Sequence, residues 1–255
     1  MLTVSYSGMT FSEIMGRPLN GCAISSGGFT GWWDRPTARS ENTDRPGQHG
    51  SFIMPMYLTA RMPSLTVFVH DDDSRVANHL VERITGLPAH GRLVVTDNAQ
   101  TQWANAQLLS VDVSRKTRDS VRLVTIDWRC PDPRKYGELR EFTSTGATVD
   151  LWHRGTADAI PEFKVTGFTG GYRIAGRGAL AGNFFTVNGP KAAGTVDTVS
   201  FRSGMLLRNG EPVQRRILQN HVWTVPPGAG AQFRIEPIVA GQSGSCTALV
   251  TDTFV

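Results

Sequence analysis

Six histidines, at positions 49, 70, 79, 90, 153 and 221, are the side chains of this 255-residue sequence best suited to acid–base or metal chemistry near neutral pH. None has a partner at HExxH spacing, and none adjoins a GxSxG nucleophile elbow. His70, His79 and His90 fall in one half of the chain and could meet in space, but isolated histidines at strand ends are ordinarily hydrogen-bonding residues. Two carboxylate pairs, Asp127 with Asp132 and Glu138 with Glu141, could in principle serve glycoside hydrolysis, yet neither lies in a recognisable hydrolase motif. The run Asp71-Asp72-Asp73 suggests a metal cluster, but adjacent residues cannot converge on one ion without a special loop; a helix cap explains them more simply. Gly176, Gly178 and Gly182 resemble a phosphate loop. Such a loop needs a helix after it, whereas Asn183-Phe184-Phe185-Thr186-Val187 reads as a strand, and Gly228 and Gly230 fail in the same way. Cys22, Cys130 and Cys246 are odd in number and lack CxxC spacing, which argues against a disulfide framework and a cysteine zinc site. The residues thus assign no catalytic, metal or cofactor-binding position. The expectation is a protein that is not an enzyme and carries no cofactor.

Binding chemistry is better represented. Trp152 and Trp223 could stack on sugar rings, or could be core or edge aromatics of a β domain. Trp32 and Trp33 are adjacent, so in a strand they would face opposite ways, one into the fold and one toward a partner. They stand at the root of a polar stretch from Thr30 to Gly50 that contains Arg35, Arg39 and Arg45 and has little periodicity. A stretch of that length without structure in a compact domain is usually functional, so these five residues are candidates for a subunit or partner interface. The formal charge of +4 does not demand nucleic acid, because the basic residues are scattered and arginine serves equally well in ion pairs and protein interfaces. The densest basic group, Arg115, Lys116 and Arg118, reads as a hairpin tip.

The elements that must position these residues are mostly strands. With 27 glycines and 14 prolines, the composition suits short strands joined by turns. Leu65, Val67 and Val69 alternate with Thr66, Phe68 and His70, Leu109, Val111 and Val113 with Ser110, Asp112 and Ser114, and Val124, Ile126 and Trp128 with Thr125 and Asp127. One helix is predicted from about Ser74 to Leu87, with Val76, Leu80, Val81, Ile84 and Leu87 on its apolar face and Gly86 and Pro88 ending it. Pro131 and Pro133 terminate a strand, and the polar stretch from Glu138 to Thr148 reads as a domain junction. Beyond it the pattern is strands and turns only: Phe163 and Val165, Val199 and Phe201, Phe233 and Ile235. Asn188-Gly189 and Asn209-Gly210 are hairpin signals. The spacing predicts a β-sandwich or jelly roll. The N-terminus lacks a basic region followed by an apolar run, and no apolar stretch approaches the roughly 20 residues of a membrane span. No secretory signal and no membrane insertion are expected, and the thiols suit a reducing cytoplasm.

Several segments, taken in order, resemble the distal tail protein family of siphophages. The strand running into Trp128-Arg129-Cys130-Pro131-Asp132-Pro133-Arg134-Lys135-Tyr136 resembles the end of that family's N-terminal belt domain. Asp44-Arg45-Pro46-Gly47-Gln48-His49-Gly50 looks like its early glycine-containing loop, and the capped helix lies where the belt-domain helix would. Leu151-Trp152-His153-Arg154-Gly155-Thr156-Ala157-Asp158-Ala159-Ile160-Pro161 is similar to the opening of the galectin-like C-terminal sandwich, with His153 in place of the family's asparagine. Asn209-Gly210 and the segment from Trp223 to Gly228 look like later turns of that sandwich.

The resemblance implies a mainly β fold: a belt domain over residues 1–138 with one helix and an arm at about 30–50, a linker over 139–147, and a galectin-like β-sandwich over 148–255. It implies a structural tail-tip or baseplate-hub component, located at the distal end of the virion tail and assembled in the host cytoplasm. Such proteins form a hexameric ring joining the tail tube protein to the tail-associated hub protein, with tape-measure and receptor-binding proteins as further partners and DNA only passing through the channel. Two rival readings are a carbohydrate- or receptor-binding module on the virion, using Trp152 or Trp223, and a wall hydrolase of the tail tip.

Overall fold

The computed structural model describes all residues except 14–20, 41–42, 116–120, 214 and 229. The chain divides into two compact units, Met1–Lys135 with Val255, and Tyr136–Phe254. The basic cluster at Lys116 and Arg118 lies outside the described residues.

The first unit contains β1 (Thr3–Tyr6), β2 (Met9–Ser12), β3 (Gly21–Thr30), β4 (Ala38–Arg39), β5 (Tyr57–Leu58), β6 (Ser64–His70), α1 (Ser74–Thr85), β7 (His90–Asp97), β8 (Gln100–Arg115) and β9 (Val121–Arg129). Seven of these strands hydrogen-bond in a closed circuit, β1-β2-β3-β6-β9-β8-β7 and back to β1, so the sheet is barrel-like and these strands leave no free edge. Among the described residues, these strands pair antiparallel except β2 with β3. Alternation places Leu65, Val67 and Val69 of β6 and Val124, Ile126 and Trp128 of β9 fully inside. The expected inward row on β8 is different. Leu109 is exposed because the register shifts between Leu108 and Ser110 and takes it out of the inward row, whereas Val111 and Val113 beyond the shift stand opposite Ile126 and Val124, with Val113 exposed near the end of the strand.

Helix α1 packs on β3, β6, β8 and β9. Asp73 caps it, its carboxylate accepting from Arg75 N at 2.8 Å, and Asp71 accepts from Asp73 N at 3.0 Å. Gly86 N closes the other end on Glu82 O. Ala77 and Ile84 are buried and Leu80, Val81 and Leu87 pack against the core, but Val76 is exposed and does not belong to the apolar face as predicted. The helix stops at Thr85, short of Leu87.

The second unit contains β10 (Lys135–Ser144, whose first residue belongs to the first unit), β11 (Val149–Leu151), β12 (Glu162–Gly167), β13 (Gly171–Gly178), β14 (Phe184–Asn188), β15 (Asp197–Ser200), β16 (Met205–Arg208), β17 (Glu211–Pro212), β18 (Ile217–Asn220), β19 (Ala231–Pro237) and β20 (Gly244–Phe254). Strands β17-β16-β15-β12-β20-β10 run side by side in one sheet, and β11-β19-β13-β14-β18 form another. Phe163, Val165, Val199 and Val250 from the first and Tyr172, Ile174, Phe185, Phe233 and Ile235 from the second share one core. Residues 139–144, expected to begin a linker, belong to β10 instead. Their polarity misled because Arg140 is bound by Asp252 at 2.9 Å and by Glu138 at 2.8 Å, so charges sit on a regular strand. Asn209 and Gly210 both adopt positive φ in the tight turn between β16 and β17. Asn188-Gly189 makes no such hairpin: Pro190 follows, and β14 pairs with β13 and β18 rather than with the next strand.

Asp197 is fully buried and takes the Arg208 guanidinium at 2.9 and 3.2 Å, the Tyr172 hydroxyl at 3.1 Å and the Lys191 ammonium at 3.7 Å. Burial, then the Asp197 charge, pushes the Tyr172 phenol far up. Removing one member of a buried ion pair leaves the other uncompensated, at about 3–5 kcal/mol. Asp197→Ala is therefore expected to destabilise the second unit by about that amount in denaturant unfolding, and a loss under about 1 kcal/mol would mean that Lys191 and Arg208 find water instead.

Candidate functional site

The polar stretch after β3 turns out to be the outgoing limb of a two-stranded arm. Gly31 sits at the root with φ 73°, and its Cα lies against the Met62–Pro63 backbone, so only glycine fits there. Residues 31–34 form a bend, not a strand. The bend nevertheless separates the two tryptophans: Trp32 is 1% exposed and Trp33 49% exposed, and both contact the Phe29 ring.

Arg61 holds this root from inside. Its backbone pairs with Cys130 in both directions, and its side chain is buried. Nη1 donates to Trp32 O at 2.7 Å and Asp34 O at 2.6 Å, while Nε donates to Pro133 O at 3.1 Å. Lys135 Nζ donates to Trp32 O at 3.2 Å and lies over the Trp32 ring. Neither cation has a carboxylate within ion-pair distance among the described residues, and Arg61 Nη2 is buried without a partner. Burial, reinforced by the Arg61 charge, brings the Lys135 ammonium down to about 8. Burial pushes the neighbouring Cys130 thiol up to about 11, which makes it a poor nucleophile.

Beyond the root, β4 pairs with β5 through Ala38 with Leu58 and Arg39 with Tyr57, and Asp44 bridges Ser51 nearer the tip. Arg45 N donates to Gly50 O across the tip, and its guanidinium lies 5.5 Å from the Phe52 ring centre. The arm therefore runs to about residue 60, ten residues past its expected end. Arg35, Arg39 and Arg45 are exposed on the outgoing limb and tip. The return limb, which sequence reasoning missed, exposes Phe52, Ile53, Met54, Met56 and Tyr57, with Ile53 98% exposed. The available signal was the run Phe52-Ile53-Met54-Pro55-Met56-Tyr57-Leu58, apolar but interrupted by proline and too short for a core helix. An exposed, contiguous apolar segment flanked by arginines is the composition of a protein contact surface.

The two candidate sugar-stacking tryptophans separate. Trp223 belongs to the core of the second unit, edge-on to Phe201 at 4.5 Å and to Phe163 at 5.9 Å, so it offers no ring face to a ligand. Trp152 is 40% exposed, with Phe142 at its edge and the Arg140 guanidinium 4.4 Å over the ring. His153, buried beside it, accepts from Gly155 N through Nδ1 and bonds Val225 O through Nε2, a structural role. Of the paired carboxylates, Asp127 accepts from Ser110, Asp132 from Arg134 N, and Glu138 pairs with Arg140. Among the described residues no three His, Cys, Asp or Glu side chains gather into a metal-binding group, and no helix is long and apolar enough to cross a membrane.

No family model and no curated protein matches this sequence. Solved structures do. The SPP1 Dit (gp 19.1) protein, described as a paradigm of the hub adsorption apparatus in phages infecting Gram-positive bacteria, superposes with a TM-score of 0.78 at 15% identity, covering 100% of both chains. A chain of the phage P2 baseplate in its calcium-activated conformation gives a TM-score of 0.55 at 5% identity over 99% of this chain and 98% of that one. The strontium-activated baseplate gives 0.51 at 4% identity over 97% and 98%. The chain thus has the fold of phage Dit hub proteins from end to end.

The Lys135 ammonium yields a pH test. Its folded value, about 8, lies below the ordinary lysine value of 10.5, so between these limits the unfolded chain holds a proton that the folded chain has lost. Stability contributed at this site therefore rises with pH across that window, by up to about 1.4 kcal/mol per pH unit. The stability of wild type minus that of Lys135→Met is expected to climb from pH 8 to pH 10 in denaturant titrations. A flat difference would show that the ammonium is hydrated.

Proposed function

We propose that this protein is a structural distal tail (baseplate hub) component of a long-tailed bacteriophage. In this reading it builds a ring at the end of the tail that joins the tail tube to the tail-associated and receptor-binding proteins. The observation that carries the reading is the end-to-end correspondence with SPP1 Dit, which covers the whole of both chains. A shared fold alone supports many functions, so the local surface matters as well. The arm supplies it: an apolar return limb beside three exposed arginines suits repeated contact with a second copy of the chain.

In this proposal the first unit is the ring-forming belt. The second is a galectin-like sandwich that serves as a docking platform, and six copies close the ring around a channel through which DNA passes. Each contact is heterologous, the arm of one copy lying on the body of the next. Trp33, Arg35, Arg39 and Arg45 contribute together with Ile53, Met56 and Tyr57, while Trp32 acts from within by fixing the root. Tape-measure protein is a further partner, assembly occurs in the host cytoplasm, and no catalytic step is assigned to the chain.

Native mass spectrometry of the purified chain, alone and with its tail tube partner, tests this. A closed oligomer of six copies is expected, and the double substitution Ile53→Asp with Tyr57→Asp is expected to leave folded monomers with an unchanged melting temperature, since both side chains are exposed. A chain that stays monomeric with its tube partner, or a ring that tolerates both charges, would overturn the proposal.

A further inference from the structure

The two sheets of the second unit carry unlike outer faces. On the sheet containing β12 and β20, outward residues are hydroxyls paired across strands, Thr143 with Thr247 at 2.9 Å and Thr166 with Ser245 at 2.8 Å, around Lys164. The sheet containing β13 and β19 is paved with arginine. Register sets Arg173 between Glu236 and Thr186, Ala175 between Arg234 and Phe184, and Arg177 beside Gln232, all directed away from the core. The long side chains lie down on this face, for Ala175 is completely covered and Thr186 is 3% exposed although both point outward.

The three arginines are not equivalent. Arg177 and Arg234 are both drawn to the Glu236 carboxylate. Arg173 instead stacks over the Phe184 ring, 5.1 Å from its centre, and spends only Nε, on Thr186 Oγ1 at 3.4 Å. Among the described residues no carboxylate takes its two terminal nitrogens. Beside it Thr186 donates to Gln219 Oε1 at 2.8 Å, which orients the Gln219 amide and leaves its NH2 group to donate. A planar cation fixed on an aromatic ring, with an oriented amide next to it, is a fork for one carboxylate or phosphate group and its neighbouring hydroxyls.

We infer that this face binds an anionic polysaccharide, with Arg173 taking a carboxylate or phosphate group of the chain and Gln219 an adjacent hydroxyl. Charge complementarity favours an anion, since Arg173, Arg177 and Arg234 outnumber the carboxylates of Glu236 and Asp150 on this face. A protein partner is disfavoured because stable protein contacts are built around an apolar centre depleted of charge, and here the apolar atoms of Ala175 and Phe184 lie under arginine stems. An open, polar sheet surface suits an extended, hydroxyl-rich chain. The inference stands independently of the assembly role.

Binding of the full-length chain to immobilised polygalacturonate and to a phosphorylated mannan tests it, with neutral dextran and poly-L-glutamate as comparisons. At least one anionic polysaccharide is expected to bind, dextran is not, and poly-L-glutamate is expected to bind more weakly. Arg173→Gln should weaken binding by about tenfold or more with the melting temperature unchanged, the loss of one charge-assisted bidentate contact, while Lys164→Gln on the other sheet should leave it unaltered. No binding to either anionic polysaccharide, equal binding to poly-L-glutamate, or an undiminished Arg173→Gln variant would overturn the inference.

Discussion

Two buried cations that bond to carbonyls rather than to carboxylates set the direction of the arm. Arg61 gathers the carbonyls of Trp32, Asp34 and Pro133, and Lys135 adds a second bond to Trp32 O. Taking these charges from water costs several kcal/mol each, and hydrogen bonds to charged groups return about 1.5–3 kcal/mol apiece. Arg61 can therefore be stable inside only while the bend at residues 31–34 keeps its carbonyls aimed at it. The same dependence runs the other way: the bend has no sheet ladder of its own, so without Arg61 the Asp34 carbonyl would lose its side-chain donor and Trp32 O would keep only Lys135.

This arrangement explains how a long arm can leave a barrel-like sheet in a defined direction. Trp32 packs on Phe29 inside, Gly31 permits the close approach to Met62, and the paired limbs then project with their apolar side chains uncovered. A free hairpin of this kind is marginal by itself. Its exposed Ile53, Met56 and Tyr57 are a liability in an isolated chain, and in the proposed assembly a neighbour would remove them from water. The second unit solves a different problem, with Asp197 neutralising two cations that would otherwise be stranded beside its apolar core.

Much of this was legible in the residues. Alternation found β6, β9, β12 and β19 and the buried halves of each, because a strand with one inner face must repeat every second residue. The aspartates before α1 and the glycine after it marked the helix ends through local hydrogen bonds that need no tertiary context. Legibility failed where a distant partner changed the meaning of a residue. A bulge took Leu109 out of the inward row of β8. Asp252, far along the chain, made a strand of the charged segment around Arg140.

The sequence by itself determined the β character, the single capped helix, the turn at Asn209-Gly210 and the presence of an unusual stretch after Thr30, since each depends on side chains only a few positions apart. Tertiary structure alone decided that this stretch is one limb of an arm, that Trp32 turns in while Trp33 turns out, that Trp223 is core, and that Arg173 keeps an unclaimed fork on an outer sheet face. Those outcomes rest on Arg61 meeting residues 31–34 and on cross-strand register between β13, β14 and β19, contacts between positions roughly ten to sixty residues apart that leave no local periodicity to read.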